Sequence, residues 1–227
     1  MTARDLKLDY FKVYDVEDRP ATGALQLRGQ FDRRPMRMDL VLLDFFLNAV
    51  SKNGEPLYDK SAHLTWYRGR QVAEPNRRVL LENQLGRQTV YIGNGIGLLV
   101  PTHKVERGMV FPEGLDHYKL YRVLDFGNVP NVVVKLKDQW GSDEARLRAP
   151  IVLGVPVIKR HGTKTYPIRN ERAHLLIFDM TPRSIQRTVR LRNQIRSEPV
   201  KVLRSAMLAV PSLKREWRQV SAASGGR

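Results

Sequence analysis

The amino-acid sequence predicts an all-β protein of about twelve strands, assembled from four tandem repeats of about 55 residues. Three observations predict it. A glutamine closes an alternating run at Gln30, Gln84, Gln139 and Gln194, in steps of 54, 55 and 55 residues. The residues five and three positions before it are aliphatic in every copy: Leu25 and Leu27, Val79 and Leu81, Val134 and Leu136, Val189 and Leu191. Helical periodicity is weak throughout, its best stretch being Lys214 to Ala223, where a short C-terminal helix or tail is expected.

Each repeat has three pieces. The first is an aromatic run: LDYFKVY from Leu8, SAHLTWY from Ser61, LDHYKLY from Leu115 and RAHLLIF from Arg172. Aromatic and β-branched residues at this density read as a strand. The second is the alternating run before the glutamine, a half-buried strand with one wet face. That face is near neutral in the first two repeats (Gln26, Arg28, Leu80, Glu82). It is basic in the last two, with Lys135, Lys137, Arg190 and Arg192. The third piece is an apolar run closing on Lys52, Lys104, Lys159 or Lys214. Pro101, Pro156 and Pro211 are expected to stop these strands where a ladder donor is missing, with Ala49 in their place in the first repeat.

The first and third repeats resemble each other best, as do the second and fourth. This pairing predicts two similar β domains, residues 1–110 and 111–218, then a flexible tail over 219–227. The segments from Glu17, Arg68, Val105, Leu124 and Met180 carry polar residues or Gly and Pro and read as linkers.

Composition bounds the chemistry. The 227 residues contain no cysteine, which excludes disulfides, thiolate nucleophiles and zinc–thiolate sites. The net charge of +16 implies an anionic partner. From Thr181 onward, eleven basic residues face two acidic ones. The N-terminus carries no apolar stretch of signal-peptide length and the chain no spanning apolar run, so a cytoplasmic location or a place inside an intracellular assembly is expected.

The motifs HLTWY, HYKLY, ENQLG, KDQWG, LLVPTHK, LGVPVIK and LAVPSLK resemble a family of uncharacterised bacterial repeat domains, over Leu8 to Lys214. The pattern of that family reads HYKCY or HLTCY, then DQFG or NQFG, then LCVPSLK or LCNPVDK, and its members often look exported. The resemblance implies a fold and no activity. It also implies two cysteines per repeat. Here those positions hold Val13, Trp66, Leu120 and Ile177, and Leu47, Leu99, Gly154 and Ala209. If the family's cysteines pair, packing replaces the bridges in this chain, which suits a reducing compartment.

Recurrent polar residues invite site readings. His63, His117 and His174 recur singly, without metal-ligand spacing, and read as packed imidazoles donating one hydrogen bond each. The glutamines read as satisfying backbone groups at the turn, and the strand-end lysines as solvated. NGIG (Asn94 to Gly97) is not a phosphate loop, because no GK[ST] follows. No catalytic grouping, cofactor motif or metal site emerges. The basic residues carry the functional hint: Arg33, Arg34 and Arg37; Lys135 and Lys137; Lys159, Arg160 and Lys164; and Arg187, Arg190, Arg192 and Arg196. They predict a non-catalytic structural or binding component of a larger assembly, docking an acidic protein surface, with self-association a further expectation. Nucleic acid is the alternative partner, with Trp140 and Trp217 as candidate stacking residues. An enzyme of unknown class is the second alternative.

Overall fold

The computed structural model describes residues 4–127 and 131–220. Apart from one 3₁₀ turn at Arg4–Leu6, its regular structure is all β, in thirteen strands. The first repeat supplies β1 (Tyr10–Pro20), β2 (Ala24–Gly29) and β3 (Met36–Lys52). The second supplies β4 (His63–Arg70), β5 (Arg77–Asn83), β6 (Gly86–Pro101) and the short β7 (His103–Lys104). The third supplies β8 (His117–Phe126), β9 (Val133–Asp138), β10 (Gly141–His161) and β11 (Lys164–Tyr166). In the fourth, the first two pieces run together as β12 (Ala173–Arg192), followed by β13 (Ser197–Gln219).

Antiparallel ladders close eight of these strands into a ring. β1 pairs with β3, β3 with β4, β4 with β6, β6 with β8, β8 with β10, β10 with β12, β12 with β13, and β13 returns to β1. Each repeat gives the ring its aromatic strand and the second half of its long strand. The β6–β8 and β13–β1 ladders join the halves on either side of residue 110. One apolar cluster draws residues from all eight strands, among them Phe11, Leu47, Trp66, Leu99, Leu120, Val152, Ile177 and Ala209, and so fills the lumen. An eight-stranded barrel is just wide enough for side chains to fill in this way.

The alternating strands form arms outside the ring. Each makes a hairpin with the first half of its own long strand: β2 with β3, β5 with β6, β9 with β10, and the second half of β12 with β13. Gly86 and Gly141, at φ 105° and 135°, supply the left-handed residue that opens β6 and β10. The far edge of each arm then pairs with the end of the long strand two repeats away. β2 joins β10, β5 joins β13 and β9 joins β3, while β12 joins β7, just past β6. Register shifts interrupt the ladders midway along the long strands, at Leu40–Leu42, Ile92–Gly97 and Leu147–Val152, where the strand changes from arm to barrel. The inward residues of the arms pack on the barrel's outer wall. Leu25, Leu27, Val189 and Leu191 cover one side; Val79, Leu81, Val134 and Leu136 cover the other.

Several expectations are corrected here. No helix forms at the C-terminal end of the described chain: β13 runs on to Gln219 because β5 supplies it with a partner. The segment from Ser221 lies outside the described residues. The long strands also run past Pro156 and Pro211. Each proline sits where one neighbouring ladder has ended (at Gly154↔Leu175 and Ala209↔Phe11) and the arm ladder has yet to begin, at Val157 and Leu213, so no ladder bond is lost. Ala49 in the first repeat does use its N–H, donating to Ala62 O at 3.2 Å. Ring closure leaves the barrel strands without free edges, whereas the outer edges of the arm strands β9 and β12 are paired over only two residues each.

The lumen also settles a register. Val13 stands opposite Leu47, Trp66 opposite Leu99, Leu120 opposite Gly154, and Ile177 opposite Ala209. These are the eight positions singled out in the sequence, and each pair faces across one ladder rung.

Candidate anion-binding faces

The recurrent polar residues meet at the seams between repeats. His117 Nε2 donates to Gln194 Oε1 at 3.0 Å, and the same oxygen accepts from Lys159. At the next seam Lys214 donates to Gln30 Oε1, and the Gln30 amide lies 3.3 Å from His174 Nε2. His174 Nδ1 then donates to Arg172 O at 3.2 Å. At the first seam Gln84 reaches Glu55, which pairs with Lys52 at 3.4 Å; Lys52 lies 4.9 Å from the centre of the Tyr10 ring. At the second, Lys104 sits over Trp140 at 5.0 Å while Gln139 donates to Asn48. Each glutamine thus reaches out of its own repeat. The turn itself is held by the residue before it: Asn83, Asp138 and Asn193 accept from the N–H two residues on.

Two of the sequence readings therefore change. The strand-end lysines are not solvated: Lys52, Lys104 and Lys159 are buried and Lys214 half-buried, because an arm from another repeat covers each. Desolvation holds the Lys159 ammonium down to about 7 and lowers Lys104 and Lys214. Likewise His63 makes no hydrogen bond through either nitrogen and packs against Phe46. Burial pushes His63 and His117 down to about 3 and His174 to about 4.

Two further lysines are buried with carboxylates. Lys119 lies 2.8 Å from Glu74 and 3.1 Å from Asp32, and Glu74 also pairs with Arg77 at 3.0 Å, all four side chains being almost fully enclosed. Lys12, at the equivalent position of the first repeat, pairs with Asp143 at 2.7 Å. The first repeat thus supplies Asp32 to the third, and the third supplies Asp143 to the first. These ion pairs lock the diagonal exchange of arms.

The exposed cations lie on the outer faces of the arms. On the β3–β2–β10 sheet, Gln26 stands opposite Arg37 on one side and Arg160 on the other, with Leu25 and Leu27 turned inward. Arg28 is two residues from Gln26 and shares its face. Arg33 and Arg34 occupy the adjoining β2–β3 turn, and Lys164 stands at the tip of the β10–β11 hairpin, all exposed. Two clusters remote in sequence thus become one basic sheet, in which Asp39 pairs with Arg37 at 2.7 Å. The neighbouring arm packs on the same side of the barrel and exposes Arg187, Arg190, Arg192 and Lys201. Arg196 pairs there with Glu198 at 2.9 Å. Lys135 and Lys137 lie on the opposite side, Lys135 at 3.8 Å from Glu144. Lys159 belongs to none of these faces, since it points inward toward Gln194. Sequence alone does not mark Arg28 and Lys201 as candidate site residues: Arg28 stands on a strand that reads as near neutral, and Lys201 is brought beside Arg187 and Arg190 only by the β12–β13 ladder.

Neither tryptophan proposed for stacking lies on the Arg37–Arg160 sheet, and both rings already have aromatic partners. Trp140 packs edge-on against Tyr14 at 4.8 Å, and the half-exposed Trp217 against Phe31 at 4.9 Å. Among the described residues no three His, Asp or Glu side chains gather as a metal site, and no helix is long and apolar enough to cross a membrane.

Residues 63–211 match the model of a family described as "Repeat of unknown function (DUF7450)". The chain belongs to this family of repeats. No curated protein and no solved structure matches it. The matched segment opens at His63 on β4 and closes at Pro211 on β13, so it spans most of the barrel.

Proposed function

We propose that this chain is a non-catalytic binding module of a larger assembly, docking an acidic protein surface through the basic side of its barrel. The observation that carries this reading is the convergence of Arg28, Arg34, Arg37 and Arg160 on one exposed sheet beside a second basic arm. A rigid sheet presents these cations at fixed spacing, so charge complementarity sets the docking register and speeds encounter. Asp39 and Glu198 stand among the cations, and a face of mixed sign suits a protein surface better than a run of phosphates. The basic arms turn their apolar residues inward, opposite to the lipid-facing band of a membrane barrel. The lumen rungs filled by Val13–Leu47 and its equivalents need no disulfide, which favours a reducing, intracellular setting.

The test uses the purified chain with poly-L-glutamate and a 20-base-pair DNA duplex as probes. Poly-L-glutamate binding is expected to weaken with salt and to fall on the order of tenfold in Arg34→Glu/Arg160→Glu. Duplex binding that exceeds poly-L-glutamate binding, and is lost in that variant, would move the assignment to nucleic acid. No binding of either probe at low salt would remove the reading altogether.

A further inference from the structure

The barrel's lower mouth carries a ring of charges at one repeat position. Two residues after the lumen positions Val13, Trp66, Leu120 and Ile177 stand Asp15, Arg68, Arg122 and Asp179. Each of three takes its counter-charge from the long strand of the preceding repeat, across the seam. Asp15 pairs with Arg204 at 2.5 Å, Arg68 with Asp44 at 2.8 Å and Asp179 with Arg148 at 3.4 Å. The fourth seam, between β6 and β8, breaks the rule. There Arg122 faces the glycine-rich stretch Gly93 to Gly97, and among the described residues no carboxylate pairs with it.

That stretch is also where β6 bulges. Ile92 stands opposite Val123, Gly95 opposite Tyr121 and Gly97 opposite Leu120, so β6 holds surplus residues and the wall opens. The result is a cavity of about 790 Å³ whose lining includes Trp66, Arg70, Gln71, Asn94, Arg122 and Leu124, together with Asp44, whose charge is taken up by Arg68 at 2.8 Å. Its volume falls in the range of small-molecule sites. Arg70 is exposed and likewise has no carboxylate partner among the described residues. The Trp66 indole lies against Gly97, where a Cβ would come within 2.9 Å of its nitrogen. Exposed Leu124 supplies the apolar wall, with the rim of the otherwise buried Trp66, whose ring packs on Phe45 at 4.8 Å, at its back, and two guanidiniums without carboxylate partners supply the charge.

We infer that this cup binds a small organic anion, with a flat apolar body against Trp66 and Leu124 and a carboxylate or sulfonate on Arg122 and Arg70. The anion takes the place of the acid that the other three seams carry in their own sequence. This site is independent of the basic outer arms. A guanidinium holds a carboxylate through two parallel N–H donors, so orientation as well as charge is selected.

Calorimetric titration of the full chain with 2-naphthoate tests it, with 2-naphthalenemethanol and inorganic phosphate as controls. Naphthoate is expected to bind, the neutral alcohol at least tenfold more weakly, and phosphate to compete poorly. Arg122→Gln should weaken naphthoate at least tenfold while Arg34→Gln leaves it unchanged. Asn94→Asp should place a carboxylate opposite Arg122, abolish naphthoate binding and raise the melting temperature. Undetectable naphthoate binding, binding untouched by Arg122→Gln, or phosphate competing as well as naphthoate would each overturn the assignment. Because poly-L-glutamate binding by the arms is read separately, failure here leaves that result standing.

Discussion

Two lysines of the third repeat, Lys119 on β8 and Lys159 on β10, are equally enclosed, yet they occupy opposite electrostatic settings. Lys119 sits between Asp32 and Glu74, with Arg77 completing a four-charge network. Lys159 has the oxygen of Gln194, the face of the Tyr166 ring at 4.5 Å and no carboxylate. Burying a cation is tolerable when a fixed anion replaces its hydration, and costly when only dipoles do. Lys119 therefore ties its own repeat to the two that supply Asp32 and Glu74. Lys159 is pushed toward neutrality, and its hydrogen bond to Gln194 survives deprotonation with the neutral amine as donor.

The largest effect expected from breaking this contrast is at Lys119. Lys119→Met preserves volume but removes the ion-pair partner of Asp32 and leaves Glu74 paired with Arg77 alone among the described residues. Removing one partner of a buried ionic group costs about 3–5 kcal/mol, so the urea midpoint should drop sharply. An unchanged midpoint would mean that the network contributes nothing to holding the arms.

The histidines sharpen the same point through pH. His63, His117 and His174 are neutral in the fold, held down to about 3, 3 and 4 by burial, while the unfolded chain protonates them near 6.5. The folded values are depressed, so their contribution is fully present above pH 6.5 and is lost as pH falls toward 4. Each histidine adds a slope of up to about 1.4 kcal/mol per pH unit in that window. Urea midpoints measured from pH 7 to 4.5 should decline accordingly. His63→Phe, which removes no hydrogen bond, should flatten the decline by one histidine's share; an identical slope would refute the burial of a neutral imidazole there.

The contrast between the two lysines also shows what was legible in the chain. The repeat, the three strands per copy and the inward aliphatic positions were readable because period 2 is a local signal repeated four times. Which arm pairs with which repeat was not, since β2–β10 and β9–β3 pairings are set by closure of the whole ring. The strand-end lysines were misread for that reason: nothing near Lys159 in sequence announces the arm that covers it. The convergence of Arg37 with Arg160 was hidden in the same way, although each was recognised as part of a basic cluster. At the lower mouth the repeat position of Arg122 was visible throughout. Its missing acid became meaningful only once the other three seams showed theirs.

The smallest effect is expected at Lys159, and its sign separates the two settings. With a folded value near 7 against 10.5 unfolded, the amine is destabilising while charged, so stability should rise as pH climbs from 7 toward 10. Lys159→Met removes that cost together with one hydrogen bond to Gln194, which keeps His117 as a donor. At pH 7 the variant should be between neutral and about 2 kcal/mol more stable, in line with apolar replacement of poorly compensated buried charge. The gain should shrink as pH climbs from 7 and vanish only well above 10.5, where the wild-type amine is neutral in both states. A Lys159→Met chain as destabilised as Lys119→Met would mean that a carboxylate-free seam holds its ammonium as firmly as an ion pair does, and the distinction between the two lysines would fall.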